Sequence, residues 1–138
     1  MEKTIVALDA MGGDNAPSQM VKGAVDAAGK NANVKVKLVG VQDILEKELS
    51  QYEYNREQIE VVHASEVIET GEPPVEAIRK KKDSSLVVAM NMVKEGEADA
   101  FVSAGNSGAI LVGGQIIVGR IKGVERPPMA PLIPTANG

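Results

Sequence analysis

Two stretches of this chain gather glycines, hydroxyls and amide side chains at points where a strand pattern gives way to a helix pattern. They are Asp9-Ala10-Met11-Gly12-Gly13-Asp14-Asn15 and Ser103-Ala104-Gly105-Asn106-Ser107-Gly108. A helix start presents unpaired backbone N–H groups and the positive end of the helix dipole, and both favour an anion. Gly12 and Gly13 allow positive φ and let a ligand reach the amides without meeting a Cβ. In the second stretch Ser103, Gly105, Asn106, Ser107 and Gly108 combine two hydroxyls, one side-chain amide and helix-start amides, a set that fits phosphate. The plainer alternative for the first stretch is a tight turn in which Asp14 or Asn15 caps the following helix. Neither stretch is Gly-x-Gly-x-x-Gly, and Gly-x-x-x-x-Gly-Lys is absent. A serine nucleophile is disfavoured, because Ser107 is followed directly by Gly108 and so does not sit in Gly-x-Ser-x-Gly. Asp9 and Asp14 are expected to shape the loop rather than touch phosphate, since like charges repel.

His63 is the single histidine. At the carboxyl end of a predicted strand it can hydrogen-bond a substrate oxygen or exchange a proton, or it can be a satisfied histidine beside Glu66. Arg79-Lys80-Lys81-Lys82 is the basic run, at the end of a helix opened by Pro73-Pro74. Cations there complement the helix dipole as a solvated end, while Lys82 or a neighbour could instead reach a phosphate or an acidic partner protein. With Cys 0 and one His there is no metal constellation, so no metal and no cofactor is expected. His63, Lys82 and Asn106 are the candidates for a catalytic part.

The elements that must position these residues follow from composition and period. The chain has 138 residues, 43% hydrophobic and 25% charged, with 15 Lys plus Arg against 19 Asp plus Glu. That is the make-up of one globular unit. Its formal charge of −4 and 2% aromatics remove the positive field and stacking platform of most nucleic-acid binders. No apolar run reaches the roughly 18 residues of a membrane-spanning helix, and Met-Glu-Lys-Thr opens no signal peptide, so the cytoplasm is the expected compartment. Thr4 to Leu8, Val34 to Gly40, Ile59 to His63 and Asp99 to Ser103 read as strands. Helical apolar spacing follows in Met20 to Ala28 (with Gly29 as a stop), Ile44 to Leu49, Val75 to Ile78, and Leu86 to Val93 behind a Ser84 or Asp83 cap. Ala109 to Val118 is apolar all round, which predicts a deeply buried helix, with Gly113-Gly114 as a helix contact. Alternating strands and helices without tight hairpins specify an α/β fold: a parallel sheet in a three-layer sandwich. Residues 126–138 carry four prolines in the ten residues from Arg126 to Thr135, and read as an extended connector or edge strand.

Four segments together are distinctive: Asp9 to Pro17, His63 to Ile68, Ala77 to Ser85, and Val102 to Ala109. In this order, with Gly119-Arg120-Ile121-Lys122-Gly123 after them, they closely resemble the PlsX family of bacterial phosphate acyltransferases over essentially the whole chain. Ser107 stands where other members carry threonine, which preserves the hydroxyl. The resemblance implies an isocitrate/isopropylmalate dehydrogenase-like fold, here incomplete. It also implies transfer of a fatty acyl group from acyl carrier protein to inorganic phosphate, giving acyl phosphate for phospholipid synthesis. A homodimer associated peripherally with the inner face of the cell membrane is implied as well. Family members are more than twice as long, so the expectation is an amino-terminal portion, inactive alone. The competing reading is a non-catalytic α/β module binding a phosphorylated metabolite or an acidic carrier protein. A metal-dependent dehydrogenase of related fold is disfavoured by the missing dinucleotide fingerprint.

Overall fold

A computed structural model describes residues 2–136. The elements run β1 (Thr4–Asp9), α1 (Ser18–Lys30), β2 (Val34–Gly40), α2 (Gln42–Leu49), β3 (Ile59–His63), α3 (Pro74–Lys80), α4 (Ser85–Lys94), β4 (Ala100–Val102) and α5 (Ser107–Gly113), which runs on into a π-helical turn, Gly114–Val118. The four strands are all parallel, in the order β3-β2-β1-β4. Leu8 lies opposite both Leu38 and Val102, and Gly40 opposite His63. All four strands therefore end at one edge of the sheet, which carries Asp9, Gly40, His63 and the start of the Ser103 loop.

Side chains alternate between the faces of each strand. Val36, Leu38 and Ile59 pack against Val21, Ala24 and Ala28 of α1 and Leu45 and Leu49 of α2. On the other face Ala7 and Val39 meet Ala89 and Met92 of α4. These three layers are the sandwich that the strand-helix alternation specifies. A further cluster, Ile68, Ala77, Ile78, Leu86, Val87, Met90 and Ala109, fastens α3 and α5 to α4.

Several local expectations shift. Helix α1 runs through Gly29 and ends at Asn31, whose amide and side chain both donate to the Ala27 carbonyl. Pro17, not Asp14 or Asn15, holds its N-cap position, with no side-chain cap bond. Ser84 caps α4 by accepting from the Val87 amide at 3.3 Å. The last helix is not deeply buried throughout. Its α-helical part packs Ala109 and Gly113 inward, but the turn beyond widens and leaves Ile116 59% and Val118 43% exposed. α4 still packs against this turn, on the side of Ile117, and leaves the side of Ile116 and Val118 uncovered. Gly113 is a true helix contact, since a Cβ there would strike Met90, whereas Gly114 faces open space. Residues 119–136 have no regular secondary structure, and residues 137 and 138 of the proline-rich stretch lie outside the described residues.

Candidate functional site

Asp9, the last residue of β1, is buried at 2% exposure yet carries a carboxylate, so its environment must supply donors. Its Oδ1 accepts from the Ser85 hydroxyl at 2.6 Å and from the Met11 amide at 3.3 Å, and its Oδ2 accepts from the Ser103 hydroxyl at 2.8 Å. The Ser103 oxygen in turn accepts from the Gly105 amide at 3.1 Å. Sheet order explains the convergence. β4 lies next to β1, so the loops that follow them are neighbours, and α4 delivers Ser85 from the covering layer. One carboxylate thus ties together three segments far apart in sequence.

The two glycine loops touch. A Cβ on Gly12 would overlap Asp9 Oδ2, and one on Gly105 would stand 3.3 Å from the Gly12 Cα. Gly13 has φ +105° and lies against the Ala104 carbonyl, a conformation and an approach that only glycine takes without strain. Asp14 and Asn15 sit farther out on the same loop, exposed. The single hydroxyl hydrogen of Ser103 is spent on Asp9. Its oxygen sets the Gly105 amide, so Ser103 positions the loop. The hydroxyl left to face a ligand is that of exposed Ser107, next to helix-start amides that have no intrahelical acceptor.

Asn106 is buried at 5% exposure, with both polar ends occupied. Its Oδ1 caps α5 by accepting from the Ala109 amide at 3.0 Å. Its Nδ2 donates to the carbonyls of Glu69, Thr70 and Glu72 at 3.1, 3.2 and 2.9 Å. Gly108 lets Pro74, the first residue of α3, pack against α5, where a Cβ would collide.

His63 is not brought to this cluster, and exposed Lys82 lies three residues before Ser85 in the chain. At the end of β3, His63 stands two strands from β1, about 10 Å at the usual spacing. Its Nδ1 accepts from the Gln42 amide at 3.3 Å, so the partner is the start of α2 rather than Glu66. Glu66 instead accepts from the Asp83 amide, and Asp83 accepts from the Ser65 amide at 2.9 Å and from its hydroxyl. The Ser65 hydroxyl and amide hold the Asp83 carboxyl below its ordinary value, helped by nearby His63. In the basic run, Lys81 donates to Glu72 and to the Val67 carbonyl, and Lys80 pairs with Glu76 one turn earlier. The Glu69 amide, then Lys81, keep the Glu72 carboxyl below its ordinary value. Arg79 and Lys82 are exposed and make no ion pair among the described residues.

Ser85 is the site residue that sequence reasoning missed. The Asp83-Ser84-Ser85 run signals a helix start, but nothing local tells that the second serine turns inward to Asp9. Among the described residues no three His, Asp or Glu side chains converge as metal ligands.

A family model described as "Fatty acid synthesis protein" matches residues 4–138. The chain is 55% identical over 132 residues to a protein of Clostridioides difficile (strain 630) named "Phosphate acyltransferase", covering 96% of this chain and 38% of that relative. Proteins of the same name from Alkaliphilus oremlandii (strain OhILAs) and Clostridium kluyveri (strain NBRC 12016) are 53% and 51% identical, over 96% and 97% of this chain and 39% and 40% of theirs. The chain spans about two-fifths of the length of these curated relatives.

Proposed function

Because the chain belongs to the fatty acid synthesis protein family, we propose that it carries the phosphate-holding loops of an enzyme that transfers a fatty acyl group from acyl carrier protein to inorganic phosphate. The observation that carries this reading is the contact between the two glycine loops at the carboxyl edge of the sheet, locked from behind by Asp9. Ligands of open parallel sheets bind in that position. The relatives' name, phosphate acyltransferase, supports the same chemistry.

In the reaction a phosphate oxygen attacks the thioester carbonyl carbon. The C–O bond forms, the C–S bond breaks, and the carrier's sulfur takes a proton from solvent, giving acyl phosphate for phospholipid synthesis and the free thiol. Phosphate is itself the nucleophile, so a covalent serine is unnecessary. The protein has to hold the anion within attacking distance and offer donors to the developing oxyanion. Ser107 and the amides at the start of α5 serve as donors, while Asp9, Ser85 and Ser103 keep the loops in place. Exposed Arg79 and Lys82 offer an acidic carrier protein a positive surface. On this reading the whole enzyme is a cytoplasmic homodimer, associated peripherally with the inner face of the membrane. The exposure of Ile116, Val118, Ile121, Leu132 and Ile133 supports a covering partner or bilayer.

The test is phosphate-dependent release of free carrier thiol from an acyl carrier protein thioester, with acyl phosphate trapped by hydroxylamine. Assays run on this chain and on any longer gene product containing it. Thiol release independent of phosphate sinks the reading. Phosphate binding without turnover in either polypeptide favours the second reading, a module that binds a phosphorylated metabolite or acidic carrier, which the two-fifths span keeps in view.

A further inference from the structure

Beside the second glycine loop lies a groove of about 360 Å³, bounded by α5 and the start of the proline-rich stretch. That volume lies within the range of small-molecule sites, roughly 300–1,000 Å³. Its lining is of two kinds. Ser103 and Ser107 give it hydroxyls, and Ile110, Leu111, Gly114, Pro127, Pro128 and Met129 make the rest of the lining apolar. We infer that this groove seats the unbranched alkyl part of an acyl group, with the oxygen-bearing head against Ser107. The inference rests on the proposed function and extends it by giving the acyl chain a place.

Helix geometry supports it. Ala109 and Gly113 are the buried residues of α5, facing α4 and α3. Leu111, two residues from each, is about 200° away around the helix, so it points away from that core. A helix with one face in the core ordinarily presents polar residues on the other. Here the outward face is apolar, and a Cβ added at Gly114 would meet nothing within 4 Å, which leaves the floor open. Across the groove Pro127 and Pro128 have no amide N–H. That wall therefore offers an apolar chain fewer donors needing a partner. A sugar or nucleotide would find too few polar groups along such a wall. The hydroxyl of Ser107 belongs to both the groove and the phosphate-holding loop, which places an acyl head next to the attacking anion.

The test uses the 138-residue chain with ethyl, butyl, hexyl and octyl phosphate, each below its micelle concentration, beside inorganic phosphate. Calorimetry gives affinity, and methyl NMR of Ile110, Leu111 and Met129 gives location. Affinity should rise about two- to fourfold per added methylene, then level once the tail passes Met129. Leu111→Ser should lower the octyl-to-ethyl affinity ratio by about three- to tenfold. Met129→Ser should lower it as well, and since Met129 is 66% exposed this change spares the core. Val75→Ser, an exposed apolar position elsewhere, should keep the ratio. Equal affinity for ethyl and octyl phosphate overturns the groove assignment, and if inorganic phosphate still binds, the proposed function survives it. Octyl binding with methyl shifts in the groove but no inorganic phosphate binding upholds the groove and sinks the loop assignment. A dimer that Met129→Ser dissociates and octyl phosphate does not makes a second copy the occupant, and overturns the inference.

Discussion

The Asp9 carboxylate and the Ser85 hydroxyl, 76 residues apart in the chain, meet at 2.6 Å behind the two glycine loops. Asp9→Ala leaves the hydroxyls of Ser85 and Ser103 and the Met11 amide without their acceptor. Each such buried group costs about 1–3 kcal/mol, and local rearrangement recovers part, so a loss of about 2–4 kcal/mol is expected in urea unfolding. Ser85→Ala should cost about 1–2 kcal/mol. A double-mutant cycle should show the two changes to be non-additive. Full additivity would mean the pair is not coupled.

The glycines of this chain should respond in opposite senses to the same substitution. Gly12→Ala pushes a methyl into Asp9, an overpacking that should destabilise by about 1–3 kcal/mol. Gly23, inside α1, has nothing within 4 Å of an added Cβ. Gly23→Ala should stabilise by about 0.5–1 kcal/mol through helix propensity. Thermal unfolding of the two variants checks the contrast, and a neutral Gly12→Ala would contradict the close packing of the loop on Asp9.

Asn106 does two jobs that substitutions can separate. Asn106→Asp keeps an oxygen to cap α5 but loses the donor to the Glu69, Thr70 and Glu72 carbonyls. Asn106→Ala loses both, with the cap alone worth about 1 kcal/mol. Hydrogen exchange should therefore show the turn around residues 69–72 loosened in both variants, and the start of α5 loosened only in Asn106→Ala. Loosening at the start of α5 in both variants would show that the cap depends on the turn.

Acid should weaken the turn through Glu72. The Glu69 amide and Lys81 hold the folded Glu72 carboxyl below its ordinary 4.5. A depressed folded value gives stability that is fully present above the unfolded value and disappears as pH falls through the folded one. Asp83, held below 3.8 by Ser65, acts in the same sense at lower pH. Urea midpoints should fall with pH below about 4.5, and Glu72→Gln should flatten the upper part of that slope. An unchanged slope would remove Glu72 from the linkage.

Much of this protein is local, and the sequence alone determined that part. Strand runs, helical spacing and the absence of hairpin signals are properties of short windows, and they give the α/β sandwich and its parallel sheet. Gly12-Gly13 and the Ser103 to Gly108 turn are legible for the same reason, since a turn needs its residue types in consecutive positions. Only the tertiary structure decided which loops meet. Placing β4 beside β1, with β2 and β3 on the other side, brings Gly105 onto Gly12 and leaves His63 two strands away. No local window contains that order, because it depends on the path of long crossovers. Nor could a window show Ser85 reaching Asp9, or Asn106 closing the turn at 69–72, for those bonds join residues 76 and 34 to 37 positions apart. The outward apolar face of the last helix was illegible for a related reason. An all-apolar pattern records that a side chain avoids water, and only the placement of α3 and α4 shows which side they cover and which remains open.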